Sequence, residues 1–105
     1  MISLKEHAKE AQKIAFNRWR KTNVEYSTIA ILKHCAGEVC EAVEAYKEYL
    51  YEPSKIRHTK LADELADIIT CVLIAAANEG INIEKALQAC QQKNEKRTAE
   101  AKKND

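Results

Sequence analysis

Apolar residues run almost unbroken from Leu65 to Ala77, Leu-Ala-Asp-Ile-Ile-Thr-Cys-Val-Leu-Ile-Ala-Ala-Ala, with a single formal charge at Asp67. At about 100° per residue, Leu65, Ile68, Val72 and Ala75 form one seam, while Ala66, Ile69, Leu73 and Ile74 cover the other sides. A helix that is apolar all round is one that expects burial on every side. The pattern therefore predicts a central helix over 60–78, with Asp67 in or beside the packed interior. A second helix is predicted over 28–50, where Leu32, Ala36, Val39, Val43, Tyr46 and Leu50 alternate in steps of four and three. That is bundle spacing, and Ile31, Cys35, Ala42 and Ala45 widen one flank.

Two shorter helices flank this pair. Ser3 and Glu6 match a capping box and open a helix over 4–21, whose modest apolar face is Leu4, Ala8, Ala11, Ile14, Ala15 and Trp19. Phe16 and Trp19 read as core or interface aromatics, with a stacking platform for a base as the alternative. Residues 22–26 are polar and predict a turn. Gly80 suits the position just past the central helix, and Asn82 caps a fourth helix over 83–100. Its seam is Ile83, Leu87, Cys90, Asn94 and Arg97, and the tail, 101–105, is charged and expected to fray.

Composition narrows the picture without changing it. Two glycines and one proline in 105 residues, with helix formers abundant, make the chain one all-α domain. A formal net charge of +1 provides no field to hold nucleic acid or an anionic membrane. The apolar run is too short to span a bilayer, and the N-terminal residues lack the apolar segment of a secretory leader, so a cytoplasmic location is expected. Cys35, Cys40, Cys71 and Cys90 have no Cys-x-x-Cys spacing and read as small buried thiols. A central helix apolar on every side cannot be covered by three short helices, so a homodimer is expected.

The candidate chemistry lies in four carboxylates. Glu64 stands one turn before Asp67, and Glu38 and Glu41 have the same spacing on the preceding helix, so each pair shares a helix face. One short connection through Pro53 makes the two helices antiparallel neighbours. Glu-x-x-Glu facing Glu-x-x-Asp forms an oxygen-rich set that suits magnesium or manganese far better than zinc. Such a cluster can hold substrate phosphates and activate a water. A di-iron centre is excluded because the Glu-x-x-His pairs it requires do not occur.

Gly37-Glu38-Val-Cys-Glu41-Ala followed by Glu64-Leu-Ala-Asp67-Ile-Ile, with 22 residues between Glu41 and Glu64, resembles the acidic motif of the MazG-like all-α nucleoside triphosphate pyrophosphohydrolases. Asn94 and Arg97 match that family's closing Asn-x-x-Arg element. The resemblance implies a four-helix MazG-like bundle completed by homo-oligomerisation, as a dimer or a dimer of dimers. It implies magnesium bound by Glu38, Glu41, Glu64 and Asp67, one of which positions or deprotonates the attacking water. The implied reaction cleaves a nucleoside triphosphate between its α and β phosphates, yielding the monophosphate and pyrophosphate. Asn94 and Arg97 would contact the nucleotide, with Trp19, Tyr46 or Tyr49 lining the base pocket. Many relatives carry Lys four residues before the Asn, where this chain has Cys90. Phosphate binding would then fall to Lys93, Lys60 or a neighbouring subunit. Phosphoribosyl-ATP pyrophosphohydrolase shares the same scaffold and is the alternative within it. A non-catalytic helical oligomer that binds metal or nucleotide is the alternative of another class.

Overall fold

The structure, a computed structural model, describes residues 2–22 and 26–103, the side chains of residues 21 and 22 excepted. Four helices follow one another, α1 Leu4–Thr22, α2 Thr28–Tyr51, α3 Lys55–Asn78 and α4 Ile83–Lys103, with no strand among the described residues. Most of the expected turn before α2 lies outside the described residues. Each helix begins with a side-chain cap that satisfies one of the N–H groups left open at a helix start. Ser3 Oγ accepts from Glu6 N at 3.2 Å, Ser27 Oγ from Ala30 N at 3.2 Å, Ser54 Oγ from Arg57 N at 3.1 Å and Asn82 Oδ1 from Lys85 N at 3.1 Å.

Two boundaries differ from the pattern's prediction, each for a local reason. Helix α3 starts at Lys55 rather than near residue 60 because Ser54, just past Pro53, already provides the cap. Helix α4 runs to Lys103 rather than ending near residue 100, so positions 101–103 of the expected frayed tail are helical; 104 and 105 lie outside the described residues. Helix-forming Ala, Glu, Lys and Gln sustain α4, since none of its residues is buried.

The α2–α3 corner is tight. Arg57 Nη1 donates to the carbonyl oxygens of Glu48 (3.4 Å) and Glu52 (3.0 Å) at the C-terminal end of α2, and it pairs with Glu52 Oε2 at 3.1 Å. The α3–α4 corner closes on Gly80, whose φ of 65° disfavours a side chain. Gly80 N bonds Ala77 O at 3.2 Å and Ile81 N bonds Ala76 O at 2.9 Å, the paired bonds of a Schellman motif.

Packing is concentrated in α1, α2 and α3. Ile31 is fully buried and clusters with Ala15, Cys71, Ile74 and Ala75, with Ala11, Trp19, Tyr26 and Cys35 packed against the cluster. The Tyr26 hydroxyl donates to Gln12 O at 3.0 Å, and the rings of Phe16 and Trp19 meet Tyr26 edge-on at 5.3 and 5.1 Å. These aromatics thus join α1 to the start of α2, and Gln12 Nε2 donates to Asn78 Oδ1 at 2.7 Å to join α1 to the end of α3.

The face that packs in α2 is not the seam that the spacing singles out. Ala42 and Ala45 on the flank are buried, whereas Leu32, Val39, Val43, Tyr46 and Leu50 are 45% to 58% exposed. Leu65, Ile69 and Val72 on α3 are likewise exposed, and so is Asp67, which the pattern had placed in or beside the interior. Over its C-terminal half α2 thus buries small Ala42 and Ala45, while Val39, Val43, Tyr46 and Leu50 stay at the surface. The radius of gyration is 17.1 Å, against about 13 Å for a compact chain of ~100 residues. Helix α4, packed mainly against α1, accounts for part of this extension.

Because Ile31 is the fully buried side chain of this core cluster, Ile31→Ala should lower the unfolding free energy by about 2–5 kcal/mol. Urea denaturation followed by circular dichroism measures that loss.

Candidate metal centre

The tight corner at Pro53 sets α2 against α3 and brings three of the four acidic side chains together. Glu38, Glu41 and Glu64 each offer a carboxylate oxygen within 4.8 Å of the others. Glu38 and Glu64 are half-buried, and the Glu38 side chain is only 13% exposed. Glu38 Oε2 and Glu64 Oε2 are buried with no hydrogen-bond partner. Burial, followed by the charge of Glu41, pushes both carboxyls above the ordinary glutamate range. Asp67 raises both further, and His34 opposes the shift at Glu38.

Three oxygens of like charge, with two buried lone-pair sites unmatched, form a set that a cation completes. Oxygen donors of this kind suit hard divalent cations. Asp67 stands apart from the three-oxygen group but shares a cleft wall with Glu38. That cleft, about 530 Å³, runs between α1 and the α2–α3 pair. Its walls include His7, Arg18 and Trp19 from α1, His34 and Glu38 from α2, and Asp67, Thr70 and Cys71 from α3, over apolar Ala11, Ala15 and Ile74. Clefts of this size accommodate small-molecule ligands. Trp19 therefore belongs both to the packing around Ile31 and to a wall beside the carboxylates.

The expected nucleotide contacts are distributed unequally. Lys60 lies beside Glu41 and Glu64 in a shallow pocket and pairs with Glu48 Oε2 at 3.3 Å. Lys93, Asn94 and Arg97 are exposed on α4 and line neither that pocket nor the cleft. Asn94 Nδ2 instead donates to Cys90 Sγ at 3.8 Å. Tyr46 is half-exposed, and Tyr49 packs against the His58 ring at 5.5 Å. Among the cysteines, Cys71 is buried and Cys35 partly so, but Cys40 and Cys90 are exposed, contrary to the reading of all four as buried. They sit on helix sides that the described residues leave exposed. Burial, with Cys35 beside it, pushes the Cys71 thiol up to about 11.

Two groups of cleft residues were not singled out by the sequence pattern. His34 Nε2 lies 3.0 Å from Glu38 Oε1, and the signal for it is the four-residue spacing on one helix. His7 and Arg18 reach the cleft only because α1 packs across α3, which no local spacing encodes.

No helix among the described residues is long and apolar enough to cross a membrane. Comparison with curated proteins and with solved structures found no match. Residues 23–101 match the family model of the MazG nucleotide pyrophosphohydrolase domain. That span holds the four acidic residues and both helices that carry them, and from it the chain is identified as a member of the MazG nucleotide pyrophosphohydrolase family.

Proposed function

We propose that the chain is a magnesium-dependent pyrophosphohydrolase, with manganese as an alternative ion, acting on nucleoside triphosphates in the cytoplasm. The products are a nucleoside monophosphate and pyrophosphate, formed by adding water across the anhydride between the α and β phosphates. The observation that carries this reading is the convergence of Glu38, Glu41 and Glu64 beside the cleft, with two buried oxygens unmatched. Glu38, Glu41 and Glu64, with Asp67 at the cleft wall, would hold the ion. When bound, magnesium supplies charge stabilisation at phosphate oxygens and lowers the pKa of a coordinated water.

The chain's own residues provide the remainder. Asp67, exposed at the cleft and outside the three-oxygen group, completes the ligand set or takes the proton of the attacking water at its carboxylate. Trp19 presents an aromatic wall to a base, and the apolar floor under it limits water. Lys60, beside Glu41 and Glu64, is available to phosphate oxygens.

The exposed faces of α2 and α3 support a homodimer as the working unit, itself able to pair into a dimer of dimers. Leu32, Val39, Val43, Leu65 and Ile69 are exposed apolar side chains on these two helices, which an association surface would cover. In such a dimer, α4 would bring Lys93, Asn94 and Arg97 to the partner's nucleotide.

The primary test measures pyrophosphate and monophosphate release from the common ribo- and deoxyribonucleoside triphosphates and phosphoribosyl-ATP, with magnesium and with chelator. Magnesium-dependent release of both products from triphosphates is expected. Release from phosphoribosyl-ATP alone would assign the alternative substrate, and binding without release from any compound would assign the non-catalytic role. Asp67→Asn, at an exposed position, should leave the helical signal intact while reducing turnover by at least about 10- to 100-fold.

The raised carboxyls also give the metal-free protein a defined pH response. Above the ordinary glutamate range the unfolded chain has released protons that native Glu38 and Glu64 still hold, so stability falls as pH rises through the raised values. Melting temperatures with chelator should therefore fall as pH rises above the ordinary glutamate value of about 4.3. The fall should be shallower in Glu38→Gln, and magnesium should reverse it in the wild type.

Val43→Asp should convert the dimer to a monomer by light scattering and abolish turnover. A wild-type chain that is already monomeric would refute the dimeric unit.

A further inference from the structure

We infer that His34 is a positioning residue for the metal centre, holding the Glu38 carboxylate so that one of its oxygens is presented to the ion. The inference rests on the functional reading above, in which Glu38 is a metal ligand.

His34 sits one helical turn before Glu38 on α2, where side chains four residues apart meet. Its Nε2 lies 3.0 Å from Glu38 Oε1, within donor range for a ring N–H. The two carboxylate oxygens of Glu38 are therefore not equivalent. Oε1 is engaged by the histidine, whereas Oε2 is buried without a partner. A glutamate side chain has several rotatable bonds, and restricting them before the ion arrives lowers the ordering cost that would otherwise oppose binding. The histidine is not part of the three-oxygen group formed by Glu38, Glu41 and Glu64, so its action on the ion would pass through Glu38. Partners outside the ligand set commonly fix ligand orientation in this way.

The location of His34 also suits the role. Its side chain is 59% exposed while that of Glu38 is 13% exposed, so the pair spans from solvent to the buried end of the cleft. The imidazole lines the same cleft as Glu38 and Asp67. A substitution at this exposed position removes the contact with Glu38 Oε1 without opening a cavity in the core.

The test is titration calorimetry of the full chain with manganese chloride, with no nucleotide present, on the wild type, His34→Ala and His34→Gln. The Gln amide nitrogen reaches a position close to that of the imidazole Nε2 and keeps an N–H donor. His34→Ala is expected to weaken manganese binding by about 10-fold or more, and His34→Gln to restore most of the affinity. Circular dichroism checks that both variants remain helical, and kcat measured at saturating magnesium should recover in His34→Ala if the defect is one of metal loading.

Wild-type affinity in both variants would overturn the positioning role while leaving the metal centre in place. A loss in His34→Gln as large as in His34→Ala would make the imidazole itself a ligand, and would also overturn it. Failure of the wild type to bind manganese would remove the metal reading together with this inference. A variant that loses its helical signal is replaced by His34→Asn, whose shorter amide should lose affinity as the alanine does; retained affinity there would overturn the role.

Discussion

The close approach of α2 and α3 is the constraint on which the other features of this protein depend. Buried Ala42 and Ala45 give α2 a surface low enough for α3 to come near, and Arg57 draws the two helices into a tight corner by bonding the last carbonyls of α2. With wider separation, Glu38 and Glu41 would each be an ordinary solvated carboxylate. With this separation, they and Glu64 offer carboxylate oxygens within 4.8 Å of one another, and burial opposes the ionisation of Glu38 and Glu64. The packing thus creates an electrostatic conflict that the polypeptide does not resolve alone. A site that costs stability without its ion and recovers it on binding is a common expression of function placed against stability.

The same choice of packing face explains the exposed apolar surface. A helix with apolar residues on more than one side can bury only one side against a single neighbour. In α2 the small flank takes the intramolecular contact, and Leu32, Val39 and Val43 remain outside. On α3, Leu65 and Ile69 do the same. In the proposed dimer a second copy of the chain would cover these positions.

Helix α1 has a separate part in the site. It precedes the span matched to the family, yet it supplies His7, Arg18 and Trp19 to the cleft beside the acidic residues. The catalytic carboxylates of the proposal and the wall that would meet a base therefore come from different segments. The Tyr26 hydroxyl and ring, bonded to Gln12 and packed on Phe16 and Trp19, hold that wall in place.

Much of the architecture was legible in the residues themselves. The four helices, the caps at Ser3 and Asn82, the breaks at Pro53 and Gly80 and the two acidic pairs all follow from local rules, because capping, glycine geometry and helical spacing act over a few residues. The acidic motif and the closing Asn-x-x-Arg element were readable in the same way, as order and spacing. What tertiary structure alone decided was which face each helix turned inward. Periodicity identifies apolar sides but does not rank a seam of Leu and Val against a flank of Ala, and the smaller residues took the intramolecular contact because they permit the shorter helix separation. That decision exposed Asp67, left Lys93, Asn94 and Arg97 apart from the acidic cleft of their own chain, and brought Arg18 into it. Each outcome depends on contacts between residues far apart in the chain, where spacing along one helix carries no information.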